Sequence, residues 1–188
     1  CWRRKNLEDN KILKMYELKI PKARVACLIG KEGNDKRIIE RSTNTKIKVS
    51  SDGEVEIYGE GLDGYICEKI IKAIGRGFAP RIALNLVNED YGLEIIDIKF
   101  FLGGKKRKIL SAKARLIGRN GKARRIIERL TECDVRIYGK TVSIIGENER
   151  LGIAFKGVEK LLIGSKHGNV YSYLEREMRK LRKNVRRY

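Results

Sequence analysis

Two short stretches of the chain pair glycines at a spacing that suits contact with phosphate. Gly30-Lys31-Glu32-Gly33 follows Leu28-Ile29, and Gly118-Arg119-Asn120-Gly121 follows Leu116-Ile117. In both, the sequence Arg-Ile-Ile-Glu-Arg begins four residues after the second glycine, at Arg37 and at Arg125. Glycines allow a tight turn with unusual dihedrals, and they clear side chains from a surface that a sugar–phosphate strand can approach. A helix starting at such a turn offers free N–H groups and a positive dipole end to an anion. A lone Gly-x-x-Gly carries little information. Its recurrence in one context, offset by 88 residues from Gly30 to Gly118, carries much more. Neither stretch is a P-loop, because the GxxxxGK[ST] spacing is missing.

The two loops are not electrically equal. From Ala26 to Arg41 the bases Lys31, Lys36, Arg37 and Arg41 face Glu32, Asp35 and Glu40, a balance of +1. From Ala114 to Arg129 the bases Arg115, Arg119, Lys122, Arg124, Arg125 and Arg129 face only Glu128, a balance of +5. Lys105, Lys106, Arg107, Lys108 and Lys113 lie just upstream. Glu32 stands where a phosphate would come, so the second loop is expected to supply most of the affinity. Arg37 and Arg125, one helical turn past the glycines, are expected to reach phosphates or base edges. The competing reading makes them solvated arginines paired with nearby glutamates.

The whole chain is strongly basic. It has 188 residues with 43 Lys and Arg against 24 Asp and Glu, a net charge of +19. Such an excess seeks a polyanion. No apolar run nears the roughly 20 residues that cross a bilayer, and no signal peptide is visible, so no membrane partner is expected and the chain reads as cytoplasmic. Cys1, Cys27, Cys67 and Cys133 form no CxxC, and His167 is the only histidine. Reduced thiols are expected, with no metal and no cofactor. His167 has no Cys or Ser partner in evidence and the acids are scattered, so no catalytic residue is assigned.

The elements that must position the loops also repeat. Tyr16 to Ile20 and Leu93 to Phe101 read as strands before each glycine stretch. After the stretch, Ile47 and Val49 alternate with polar residues, Asp52-Gly53 turns, and Val55 and Ile57 alternate again. Val135 and Ile137, a turn at Gly139-Lys140, and Val142 and Ile144 repeat that hairpin pattern. Helical periodicity follows each hairpin, through Leu62, Ile66, Ile70, Ala73 and Ile74, and through Leu151, Ala154, Phe155, Val158 and Leu162. Ile38, Ile39, Ile126 and Ile127 are assigned to the cores. Each unit becomes a small α+β sandwich, a three-stranded sheet with three helices on one face. The expected boundaries are a leader at 1–14, a first domain at 15–78, a linker at 79–91 with a short helix after Pro80, a second domain at 92–165, and a basic helix at 166–188. In that last helix Tyr171, Leu174, Met178, Leu181 and Val185 form an apolar stripe on an otherwise basic surface.

The Ile-Gly-x-x-Gly corner with these flanking elements resembles the type I KH domain, twice. The resemblance implies two tandem KH domains whose loops clamp about four nucleotides of single-stranded RNA. It implies that Ile29 and Ile117 line an apolar groove beside the loops. The expected RNA contacts are then Ile29, Gly30, Lys31, Glu32, Gly33 and Arg37 in the first unit. In the second they are Arg115, Ile117, Gly118, Arg119, Asn120, Gly121, Lys122, Arg124 and Arg125. The stretches GRGFAPRIALNL, YGKTVSIIG and GSKHGNVYSYLERE resemble the archaeal branch of the partner-of-Nob ribosome assembly family. That resemblance implies binding to the 3′ end region of small-subunit ribosomal RNA. It also implies the Nob endonuclease and the alpha subunit of initiation factor two as partners, and no cutting of RNA by the chain itself. Eukaryotic relatives have lost the first glycine loop, whereas both are present here. A general KH adaptor and, less favoured, an RNA-processing enzyme are the alternatives.

Overall fold

The structure, a computed structural model, describes residues 14–185. The leader up to residue 13, with Cys1, and the last basic residues Arg186 and Arg187 lie outside the described residues. So does the side chain of Val185. The chain divides into two compact units between Lys72 and Ala73.

The first unit runs β1 (Lys14–Lys19), α1 (Lys22–Ile29), a 3-10 turn (Lys31–Gly33), α2 (Asn34–Ser42), β2 (Lys46–Val49), β3 (Glu54–Gly59) and into α3 (Gly61–Gly75). Its sheet is antiparallel with β3 in the centre, in the order β1-β3-β2. The register pairs Tyr16 and Ile47 with Ile57, and Leu18 and Val49 with Val55. The alternation in the sequence therefore becomes one apolar face, on which Ile47, Val55 and Ile57 are buried. Gly53 makes the hairpin turn at φ +87°, and a Cβ there would lie 2.2 Å from the Ile20 carbonyl oxygen. That carbonyl belongs to the residue whose N–H bonds Gly53 O at 2.8 Å.

In α3 the buried residues are Cys67, Ile70, Ile71, Ala73 and Ile74, whereas Leu62 at its start is 58% exposed. The Thr45 hydroxyl donates to the Cys67 sulfur, and burial pushes that thiol's pKa up.

The second unit holds α4 (Pro80–Ala83), a 3-10 turn (Leu84–Val87), β4 (Tyr91–Asp97), α5 (Ile98–Phe101), α6 (Lys106–Ile117), a 3-10 turn (Arg119–Gly121) and α7 (Lys122–Thr131). It continues with β5 (Asp134–Tyr138), β6 (Thr141–Glu147), α8 (Asn148–Ile163) and α9 (His167–Val185). Pro80 stands in the first turn of α4, where its missing N–H costs nothing. The sheet order β4-β6-β5 repeats that of the first unit. One core joins Ile96, Val135, Val142 and Ile144 of the sheet to Leu116, Ile127, Val158, Leu162 and Leu174 of the helices. Cys133 is buried in it, which raises its pKa to about 11.

The first departure from the sequence reading comes at β4. The strand stops at Asp97, and Ile98–Phe101 is helical rather than extended. The Asp97 carboxylate accepts the N–H groups of Lys99 and Phe100 at 2.7 and 3.1 Å, an N-cap that outweighs the strand propensity of the apolar run. The second departure concerns the paired isoleucines. Ile39 and Ile127 are in the cores, but Ile38 is 37% exposed and Ile126 only half-buried.

Helix α9 packs on α7 and α8. Leu174 and Met178 are buried from the expected stripe, along with Val170, while Arg176, Arg179, Lys180, Arg182 and Lys183 face outward. Arg182 bonds the Glu132 carboxylate at 2.7 Å, which fastens α9 to the end of α7. Among the described residues no helix is long and apolar enough to cross a membrane.

Candidate nucleic-acid interface

The two glycine loops have nearly the same backbone. Gly30 and Gly118 adopt φ/ψ of 72/−178° and 69/174°. The third loop residues, Glu32 and Asn120, adopt 52/26° and 50/32°. Gly33 and Gly121 adopt 76/15° and 73/13°. Gly30 N–H closes α1 on Ala26 O at 2.9 Å, and Gly118 N–H closes α6 on Ala114 O at 2.8 Å. Three of the four loop positions thus have positive φ, which explains the glycines.

Each residue of the repeated Arg-Ile-Ile-Glu-Arg has a place in this geometry. Arg37 donates to the Glu32 carbonyl at 3.0 Å, and Arg125 donates to the Asn120 carbonyl at 2.8 Å. Both arginines therefore hold the one non-glycine residue of the loop that sits in the left-handed region. Glu40 accepts Ile47 N–H at 2.8 Å and Glu128 accepts Val135 N–H at 3.0 Å, which ties each loop-bearing helix to its strand. Leu28 and Leu116 are in the cores, while Ile29 is half-buried and Ile117 is 38% exposed beside the loops. That leaves an apolar side chain available next to each turn.

The glycines differ in what surrounds them. A Cβ on Gly121 would meet nothing within 4 Å, and one on Gly33 only the Arg37 guanidinium at 3.9 Å, so both open onto free surface. A Cβ on Gly30 would collide with the Asp35 side chain at 2.2 Å, and one on Gly118 with Ala123 N at 2.8 Å and Cβ at 2.7 Å. Asp35 and Ala123 are equivalent positions, as are Glu32 and Asn120. The first loop carries two carboxylates in the first residues of its turn and helix. The second carries none, and it presents Arg119 and Lys122 on the surface.

Two other bases of the second unit are engaged inside it. Arg115 turns away from the loop to donate to the Leu161 carbonyl at 2.7 Å, satisfying the end of α8. The His167 ring nitrogen lies 2.9 Å from the Arg115 carbonyl oxygen, so the chain's one histidine fastens the start of α9 to α6. Arg124 lies along α7 with its Nε 3.6 Å from Glu128. The sequence reading did not single out Lys99 and Lys140 as binding residues; they join Lys106 and Lys113 around an apolar pocket at the far end of α6. The available signal was length: two residues separate β1 from α1, while the second unit inserts α5 and an extra helical turn at the same place. Among the described residues no group of three or more His, Cys, Asp or Glu is placed to hold a metal ion.

Each unit thus has the strand–helix–glycine loop–helix–hairpin–helix order of a type I KH domain, and the chain is a tandem KH protein. The family model of the second PNO1 KH domain, described as a eukaryotic type KH-domain (KH-domain type I), matches residues 92–179. A general KH-domain model matches residues 15–74. A KH domain-containing protein of Methanocaldococcus jannaschii is 46% identical over 171 residues, covering 88% of this chain and 75% of that protein. The pre-rRNA-processing protein pno1 of Aspergillus fumigatus is 33% identical over 113 residues, covering 58% of this chain and 44% of that protein. The structure of an a/eIF2alpha–aDim2p–rRNA complex from Pyrococcus horikoshii contains a similar chain. It is 41% identical, with a TM-score of 0.82, and the match covers 91% of this chain and 97% of that one. The chain belongs to the PNO1/Dim2 family of KH-domain proteins.

Proposed function

We propose that this chain is an RNA-binding factor of small-subunit ribosome assembly that grips the 3′ end region of the small-subunit ribosomal RNA. The second unit supplies most of the grip. The observation that carries this reading is the second loop: an open Gly121, no carboxylate, and Arg119 and Lys122 on its surface. The relative from Pyrococcus horikoshii, caught with ribosomal RNA, supports the choice of nucleic acid. Phosphates sit on the loop N–H groups and basic side chains, and unpaired bases enter the groove beside Ile117. Arg125, through the Asn120 carbonyl, keeps the loop in the shape that receives them. The first loop, with Glu32 and Asp35, adds a weaker contact whose benefit comes through effective concentration.

The chain acts by positioning RNA, not by cutting it. Labelled RNA incubated with the chain and Mg²⁺ stays intact, and any cleavage that follows the chain through purification would overturn that statement. Its protein partners are then the Nob endonuclease and the alpha subunit of initiation factor two. The second of these is supported by the composition of the Pyrococcus horikoshii complex.

The deciding experiment compares binding to a short RNA from the 3′ end of small-subunit rRNA with binding to a shuffled RNA of equal length. It is run at near-physiological salt, because phosphate contacts are salt-dependent. Preference for the native sequence, lost on Arg119→Asp with Asn120→Asp, is the expected result. Equal binding to both RNAs would leave a general KH adaptor and remove the ribosomal target.

A further inference from the structure

Helix α9 has no counterpart in the first unit, which ends with α3. One side of it is fully used in packing. Val170, Leu174 and Met178 are buried, and Arg182 is tied to Glu132 at 2.7 Å. The other side is turned to solvent. Between Ser172 and Asn184 the exposed residues are those two, five bases and one acid, Glu175, with no apolar or aromatic side chain among them.

A helix face that is merely solvated usually alternates charges of opposite sign. This one is arranged otherwise. Arg176 and Lys180 stand four residues apart, as do Arg179 and Lys183, a spacing at which like charges oppose the helix. Glu177 accepts from both Arg176 and Lys180, at 3.0 and 3.1 Å. Arg179 and Lys183 have no anionic partner among the described residues. The helix dipole favours bases only in the last turn, at Arg182 and Lys183, and gives Arg176 and Arg179 nothing. Arg176, Arg179 and Lys183 thus form a row along about 10 Å of the helix, which its buried side holds in place.

A row of cations without a groove or an aromatic ring beside it has no means to stack or sort bases, on which recognition of unpaired strands depends. It suits an anion displayed outward at regular intervals, as in the backbone of double-helical RNA. A membrane surface is the poorer fit. A helix lying in a membrane interface needs its apolar face free, and in α9 that face is in the core through Val170 and Leu174.

We propose that the outer face of α9 docks on the phosphate backbone of double-helical RNA, as a site separate from the glycine loops. Arg176, Arg179 and Lys183 meet the phosphates, and the contact carries no sequence preference. The loop and the helix share one core, through Leu116 and Leu174. His167, at the start of α9, lies 2.9 Å from the carbonyl oxygen of Arg115, three residues before Gly118. The second unit therefore takes an unpaired strand on its loop and an adjoining duplex on α9. This inference rests on the RNA-binding reading above, and its test separates the two.

The test measures the affinity of the full chain for three RNAs. They are the unpaired rRNA 3′-end RNA, a blunt duplex of about 16 base pairs of unrelated sequence, and that duplex continued by the unpaired RNA. The native chain should bind the duplex whatever its sequence, and the joined RNA more tightly than either part. Arg179→Glu with Lys183→Glu changes exposed side chains only, so the fold is expected to persist, and an unaltered thermal unfolding curve verifies it. This variant should bind the unpaired RNA as the native chain does and the duplex about tenfold more weakly. Its dependence of duplex affinity on salt should flatten by about two units, and most of the gain on the joined RNA should vanish. A native chain that ignores the duplex, or a variant that binds it undiminished, overturns the proposal. Equal losses on duplex and unpaired RNA would overturn it too, marking a general effect of net charge. Capture by vesicles of anionic phospholipid, lost in the variant and unaccompanied by duplex binding, would assign the face to a membrane instead. Failure of the native chain to bind the unpaired RNA would sink the loop reading, and the blunt duplex would still judge α9.

Discussion

The two glycine loops have one backbone and two chemistries. Their φ/ψ values agree within a few degrees for Glu32 and Asn120 and for Gly33 and Gly121. The same arginine holds the same carbonyl in both, and the same glutamate ties the helix to the strand in both. Between the first glycine of the loop and the second residue of the following helix, the side chains differ at four positions. Lys31 becomes Arg119, Glu32 becomes Asn120, Asn34 becomes Lys122 and Asp35 becomes Ala123. Geometry therefore does not rank the loops as phosphate sites; charge does. An isolated carboxylate beside an incoming phosphate opposes it, whereas each lysine or arginine that neutralises a phosphate adds to the salt-dependent part of affinity.

The largest expected effect tests that ranking directly. Arg119→Asp with Asn120→Asp should weaken RNA binding about 100-fold, at 1.4 kcal/mol per tenfold. It should also flatten the dependence of affinity on salt, by about one unit for each phosphate left without its cation. Lys31→Asp with Glu32→Asp should cost the first loop only a few-fold. Titrations of both variants at two salt concentrations decide it, and an equal or larger loss from the first loop would reverse the comparison.

Next comes stability at the first glycine of each loop. Gly118→Ala forces a Cβ onto both the Cβ and the backbone N of Ala123, at 2.7 and 2.8 Å, whereas Gly30→Ala meets the Asp35 side chain alone, although its Cβ at 2.7 Å cannot rotate away. Both positions also hold a positive φ. Gly118→Ala should cost about 3 kcal/mol and Gly30→Ala about 2 kcal/mol, read from urea denaturation of the full chain with a probe in each unit.

Much of this was legible in the sequence because the signals are local. Alternation at Ile47–Val49 and Val55–Ile57 with Asp52-Gly53 between them fixes a hairpin. The repeated Gly-x-x-Gly with its neighbours fixes two loops of one shape. What was hidden depends on partners far along the chain or on single competing hydrogen bonds. Arg115 sits among loop-like neighbours, but it turns to carbonyls 46 and 47 residues away, and no local pattern foretells that. The apolar run at Ile98–Phe101 suits a strand as well as a helix, and one carboxylate at Asp97 tips it. Ile38 and Ile126 have the composition of a core, yet only the isoleucine after each of them points inward.

Alkaline pH should separate the cores through their buried cysteines. Burial holds Cys133 neutral up to about pH 11, while an unfolded thiol ionises near 8.5. Above that unfolded pKa the unfolded chain releases a proton that the folded chain keeps. Stability linked to Cys133 is therefore full below about pH 8.5 and falls as pH rises toward 11. The Cys67 thiol is raised in the same direction, with hydroxyls of Thr45 and Thr43 working against burial. Denaturation at pH 8 and pH 10 should show a drop on the order of 1 kcal/mol that Cys133→Ala abolishes more fully than Cys67→Ala. Equal slopes in the two variants would remove the difference between the cores.

The smallest effect is the most pointed, because it converts one loop toward the other. Glu32→Asn removes the carboxylate from the first loop and places there the residue that its counterpart uses at φ 50°. Asn tolerates the left-handed region better than Glu does, so the first unit should gain about 0.5 kcal/mol of stability. Its carbonyl still receives the Arg37 guanidinium, so the loop keeps its shape. RNA affinity of the full chain should rise two- to threefold, roughly the effect of removing one like charge near a solvated phosphate. Adding Asp35→Ala, the other difference at the turn, should extend the gain. A pair of substitutions that raised stability while leaving RNA affinity untouched would mean that the first loop does not meet the strand at all. The asymmetry would then be one of use, not of charge.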